Sequence, residues 1–125
     1  LTLPPADGRP AQEVPGLFLA IVQNTAPWTY LGPQELNPSP AASFDLGLDL
    51  FGLTSLDVVP TLRHVQQILA GRTGPRGKEV VRLHDAPEFT LTAARPTALQ
   101  VDGDSVGSVT SLVLRSVPNA LRVLV

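Results

Sequence analysis

The tetrad Val101-Asp102-Gly103-Asp104 joins two β-patterned runs, and it offers the clearest group for chemistry in the chain. Asp-Gly is a preferred pair for a two-residue hairpin loop, because both central residues take φ > 0. Leu99 and Val101 alternate ahead of it, and Val106 follows in the return strand. A carboxylate held at a strand end, Asp104 here, is better placed to accept a proton than one on a mobile loop. Taken alone, such a turn reads as an ordinary solvated hairpin. Asp45 and Asp49 stand on one face of a period-2 run, below a proline-rich segment. A hard cation such as Mg²⁺ takes one or two carboxylates with carbonyls and water, although this spacing by itself favours a solvated strand face.

The remaining polar groups are weaker candidates. His64 lies off the apolar stripe of the expected helix, which makes it a solvated surface residue. His84-Asp85 has the residue types of a general base and its orienting carboxylate. Neighbours on a strand point to opposite faces, so the two are not expected to pair with each other. Trp28 and Tyr30, the only Trp and Tyr, either anchor their segment onto the core or line a site for an apolar ligand. Core anchoring is the stronger reading, since large aromatics mostly contribute buried area. Arg72, Arg76 and Lys78 could meet an anionic membrane surface at up to about 1 kcal/mol each, with solubility the stronger reading. No serine stands in a nucleophile-elbow pattern, and neither a Gly-x-Gly-x-x-Gly run nor a Walker loop occurs.

These residues need elements to position them. The 13 prolines and 10 glycines favour short strands joined by turns over long helices. Leu1–Leu3 reads as a strand and 6–16 as a loop. The apolar run 17–22 reads as a strand buried on both faces, and 27–42 as a long loop. Over 44–53, Phe44, Leu46, Leu48 and Leu50 alternate with Asp45 and Asp49, the pattern of a half-buried strand. One helix follows, with Asp57 as N-cap, Pro60 in its first turn and Gly71 as its C′ residue. Its apolar stripe is Val58, Leu62, Val65 and Leu69. Further strands are expected over 79–83, 89–93, 99–102, 109–117 and 121–125. The expected fold is a single mainly β domain over residues 1–125, an antiparallel β-sandwich with one short α-helix.

Composition narrows the function classes. The 125 residues suffice for one domain, and the absence of cysteine excludes disulfides and thiolate metal sites. A net charge of −2 gives no basic footprint for nucleic acid. No apolar run approaches the roughly 20 residues of a membrane-spanning helix, and no signal peptide is evident. A chain opening on Leu1 and lacking Met is expected to be part of a longer protein.

Three stretches taken in order carry a resemblance. They are Asn24-Thr25 within the run NTAPWTYLG (24–32); Asn37-Pro38 leading to Ala42-Ser43-Phe44-Asp45-Leu46-Gly47-Leu48 within FDLGLDLFGL (44–53); and Gln100-Val101-Asp102-Gly103-Asp104. From about Leu17 to Val125 the chain resembles the C-terminal domain of the diacylglycerol kinase-like lipid kinases, a family that includes the sphingosine kinases. The nearest likeness is to actinobacterial-type members.

The resemblance implies a β-sandwich domain that receives the lipid. It also implies an N-terminal nucleotide-binding domain, outside this chain, that holds ATP through a Gly-Gly-Asp-Gly-Thr motif. It makes Asp104 the catalytic proton acceptor for the lipid hydroxyl. Most members carry Glu there, so Asp104 is shorter by one methylene, about 1.5 Å of reach. It makes Asp45 the candidate for a structural Mg²⁺ site at an Asp-Asp-Gly turn, where this chain has Leu46 as the second residue. Trp28 and Tyr30 would border the acyl chains. The implied partners are diacylglycerol or a related alcohol, the chain's own nucleotide-binding domain and a peripheral membrane surface. The implied location is cytoplasmic, at the inner face of the membrane. Residues 1–125 alone would be inactive, and an interface left by the partner domain would be open to homodimer formation. The rival reading is a non-enzymatic β-sandwich that binds a ligand or partner.

Overall fold

The computed structural model describes residues 1–5, 10–70, 74–118 and 120. The expected strand over 121–125, the C′ residue Gly71, the cation Arg72 and the start of the first loop (6–9) lie outside the described residues. In chain order the elements are β1 (Thr2–Leu3), β2 (Gln12–Glu13), β3 (Leu19–Gln23), β4 (Thr29–Leu31), β5 (Gln34–Leu36), β6 (Leu48–Leu53), α1 (Val58–Ala70), β7 (Val80–Ala86), β8 (Glu88–Val101) and β9 (Asp104–Arg115). The chain is mainly β, with antiparallel sheets and one α-helix, and it divides into two compact units.

Unit 1 comprises Leu1–Pro15 and Glu88–Arg115. Its sheet has the order β2-β1-β8-β9. The β8–β9 hairpin dominates it, and the two short strands expected over 89–93 and 99–102 are parts of the single strand β8. Register breaks between Thr92 and Thr97, where Arg95-Pro96 interrupts the pairing with β9. Proline has no N–H for the ladder, so a bulge is where it can be accommodated. Phe89, opposite Leu114, is fully buried and anchors this unit.

Unit 2 comprises Gly16–Pro87 with Ser116–Val125. Its main sheet has the order β3-β6-β7, with a separate β4–β5 hairpin. Burial is distributed differently from the sequence pattern. The run 17–22 is not buried on both faces: Phe18 and Leu19 are exposed and Ala20–Val22 half-buried. The strand buried along its length is the central one, β6, with Asp49, Leu50, Phe51 and Leu53 all inside. The period-2 pattern over 44–53 overestimates this strand, since 44–47 form a turn with Phe44 and Leu46 exposed. The segment 27–42 is not one loop, because Gly32-Pro33 closes the hairpin of β4 and β5 with Leu31 opposite Gln34.

Helix α1 starts where expected. The Thr61 N–H donates to the Asp57 carbonyl (2.9 Å), and the Ser55 hydroxyl donates to the Asp57 carboxylate (3.0 Å). At its other end the Gln34 side-chain amide donates to the Leu69 carbonyl (3.0 Å), satisfying one of the acceptors a helix C-terminus leaves open. The face turned inward is the opposite of that expected. His64 is buried, with Pro60, Thr61 and Ile68 half-buried, whereas Val58, Val59, Leu62 and Val65 are exposed. The Gly77 backbone packs against the imidazole, and a Cβ there would stand 2.8 Å from Nε2.

Candidate functional site

A polar arrangement with several mutual hydrogen bonds lies where β6 meets β7. Leu48 pairs with Ala86 and Leu50 with Leu83, so Asp49 alone stands opposite two residues, His84 and Asp85. This is a β-bulge, which breaks side-chain alternation and re-aims side chains. Asp85 takes φ 55°, left-handed backbone that Asp tolerates better than most residues. Its Oδ1 accepts the Gly47 N–H at 2.7 Å, which ties the bulge to the turn before β6.

Asp49 organises the centre. His84 Nδ1–H donates to Asp49 Oδ1 (2.9 Å) and Oδ2 (3.0 Å), and the Asp85 N–H donates to Oδ1 (3.1 Å). A carboxylate can only accept, so the ring proton must sit on Nδ1. A buried polar group needs hydrogen-bond partners, and the Asp49 carboxylate has two, the His84 ring N–H and the Asp85 backbone N–H. Its side chain is 2% exposed, while that of His84 is 53% exposed. The imidazole therefore spans from a buried carboxylate to open solvent. His84 and Asp85 do not bond to each other, as strand geometry suggests, yet both engage Asp49, 35 and 36 residues away.

The residues singled out from the sequence are placed elsewhere or in other surroundings. Asp49 is not on a solvated strand face but buried. Asp45 lies on the exposed turn, where its N–H donates to Ser43 Oγ (3.3 Å). Among the described residues no group of three or more His, Asp or Glu side chains converges on one point. Asp45 belongs to no such group. His64 is not a solvated residue but the one buried side chain of α1. Trp28 and Tyr30 are not core anchors: both are exposed on the β4–β5 hairpin. Asp104 opens β9, opposite Val101, after a turn in which Asp102 (φ 52°) and Gly103 (φ 90°) both have positive φ. That is the expected type I′ loop. Its carboxylate is exposed at the hairpin tip and has no hydrogen-bond partner among the described residues.

Sequence reasoning missed the Asp49–His84 pair. The one available signal was a His-Asp dipeptide near the end of a strand, where a bulge would let both residues face one partner. Unit 2 also presents a second kind of surface. The exposed stripe of α1 carries no acidic residue, and its polar companions include Arg63. The basic turn that follows exposes Arg76 and Lys78, with the Arg76 N–H donating to Gln67 Oε1 on the helix (2.9 Å). Among the described residues, no helix is long and apolar enough to cross a membrane. No protein-family model matches the chain, and no curated protein or solved structure matches it.

Proposed function

We propose that residues 1–125 form the lipid-receiving domain of an ATP-dependent lipid kinase that phosphorylates the hydroxyl of diacylglycerol or a related alcohol. The observation that carries this reading is the apolar surface of unit 2. Val58 is 74% exposed, and Val59, Leu62 and Val65 stand open beside it, with Trp28 and Tyr30 exposed on the nearby hairpin. Exposed apolar surface of this kind marks an interaction site. An apolar helix face with Arg63 as its one cation and no acid, followed by a turn exposing Arg76 and Lys78, suits a lipid surface. The resemblance of the ordered stretches, ending in Asp102-Gly103-Asp104, to the diacylglycerol kinase-like family supplies the rest.

In this reading Asp104 accepts a hydrogen bond from the lipid hydroxyl and takes its proton as the oxygen bonds to phosphorus. ATP sits in a nucleotide-binding domain of the same natural protein. Mg²⁺ bound with ATP would offset charge on the transferring phosphoryl group. The substrate alcohol is read mainly through apolar contacts, which discriminate chain length and bulk only weakly.

The test uses the natural chain containing these residues, assayed with labelled ATP and diacylglycerol or sphingosine in mixed micelles. Asp104→Asn nearly preserves size and removes the base, and it is expected to lower turnover by about 10²-fold or more. Persistence of near wild-type turnover removes Asp104 from the mechanism. A wild-type chain that phosphorylates no lipid alcohol refutes the kinase reading. It leaves the apolar face of α1 to a non-enzymatic partner-binding module.

A further inference from the structure

We propose that the Asp49–His84 pair is a general-base site, with His84 Nε2 the atom that takes a proton from the O–H of a bound alcohol or water. Neither ATP nor a lipid is needed for this chemistry, so it is independent of the lipid-kinase reading.

Four features of the bulge converge on this role. Asp49 accepts the Nδ1 proton with both oxygens, which selects the neutral tautomer whose free lone pair is on Nε2. Asp49 is itself fixed by the Asp85 N–H, so the imidazole is oriented by a group that cannot swing. Nε2 has no partner among the described residues, and the ring is half open to solvent. Finally, the ring owes its direction to a bulge held with Asp85 in the left-handed region, and conformations of that kind persist when surrounding contacts determine them. Here the Gly47 N–H and the close approach of the Gly47 backbone to Ala86 do so.

The step is a proton transfer. The O–H bond of the alcohol or water breaks as the Nε2–H bond forms, and the imidazolium is stabilised by the Asp49 carboxylate beneath it. The oxygen's electron pair is then available to an electrophile. With an activated ester as probe, the water oxygen adds to the acyl carbon as Nε2 takes one of its protons and p-nitrophenolate leaves; Nε2 passes that proton to solvent, and the acetic acid formed loses the second, leaving acetate. His84 is the catalytic residue and Asp49 a positioning residue.

Two measurements on residues 1–125 test this. The first is hydrolysis of p-nitrophenyl acetate by the wild type, His84→Gln and Asp49→Asn, with folding checked by circular dichroism. His84→Gln is expected to lower the protein-dependent rate about tenfold or more, toward the low end of general-base contributions. Asp49→Asn is expected to fall between the two. The second is long-range ¹H–¹⁵N correlation of the wild-type histidines at about pH 9, above the ordinary imidazole range. There His84 should be protonated at Nδ1 with Nε2 bare, and Asp49→Asn should lose that tautomer preference. A His84→Gln rate within twofold of wild type overturns the proposal, and so does an Nε2–H tautomer at His84. The spectrum needs only the wild type, so it decides even if a variant fails to fold.

Discussion

Adding one methyl group at Gly47 should unseat the whole β6–β7 corner. A Cβ built at Gly47 would stand 2.6 Å from the Ala86 carbonyl oxygen, 2.8 Å from the Ala86 carbonyl carbon and 2.9 Å from the Asp85 carbonyl carbon. All three are backbone atoms, so no side chain can turn away to make room. Ordinary contact begins at 3.4 Å, and β7 would have to retreat by about 0.8 Å at that point, against the resistance of a close-packed interior. Overpacking of this kind costs about 1–3 kcal/mol. The same retreat stretches the Gly47 N–H···Asp85 Oδ1 bond from 2.7 Å, and a hydrogen bond to a charged group contributes about 1.5–3 kcal/mol. Relaxation of Asp85 from its left-handed conformation would return about 1 kcal/mol. Gly47→Ala should therefore destabilise unit 2 by about 1.5–5 kcal/mol.

Trp28 is the only tryptophan and belongs to unit 2, so its fluorescence reports this unit. In urea, with a slope of about 1–3 kcal/mol per molar, the midpoint should drop by about 0.5 M or more. Histidine spectra of the variant should show the loss of the Nδ1–H tautomer at His84, because the bulge that aims it has moved. A midpoint within about 0.2 M of wild type, below about 0.5 kcal/mol on those slopes, would refute the packing argument at this corner.

Phe89→Ala removes the fully buried ring of unit 1 and should cost about 3–5 kcal/mol, measured by urea denaturation followed by circular dichroism. Gly103→Ala places a Cβ where φ is 90°; it should cost about 1 kcal/mol or more, seen as faster amide exchange around Val101 and Asp104. Arg115→Ala breaks a 2.6 Å contact to Glu88 whose Arg side chain is 67% exposed; such surface pairs contribute about 0–1 kcal/mol, so its melting curve should nearly overlay that of the wild type.

Local chemistry made several features legible from the residues alone. Asp102-Gly103 is a type I′ loop because both positions need positive φ, and few other pairs tolerate that. Asp57 and Pro60 mark the start of α1 because an N-cap acceptor and a missing N–H both fit a first turn. The mainly β class follows from the density of turn residues. The hairpin at 29–36 was hidden because each of its strands has three residues, too few to show a period.

What periodicity could not supply was direction. The apolar stripe of α1 identifies a helix, but only packing decided that the face carrying His64 turns inward and the valines outward. A two-residue alternation places Asp49 away from the leucines, yet β6 is central and its polar face is covered, so Asp49 is buried rather than solvated. The Asp49–His84 pair depends on one extra residue in β7, and nothing in the nearby residues counts register against a strand more than 30 positions away. Turn and cap geometry are settled within a few residues, so the chain alone determined them. Burial and partnership across the sheet depend on which strands become neighbours, and only the tertiary structure decided that.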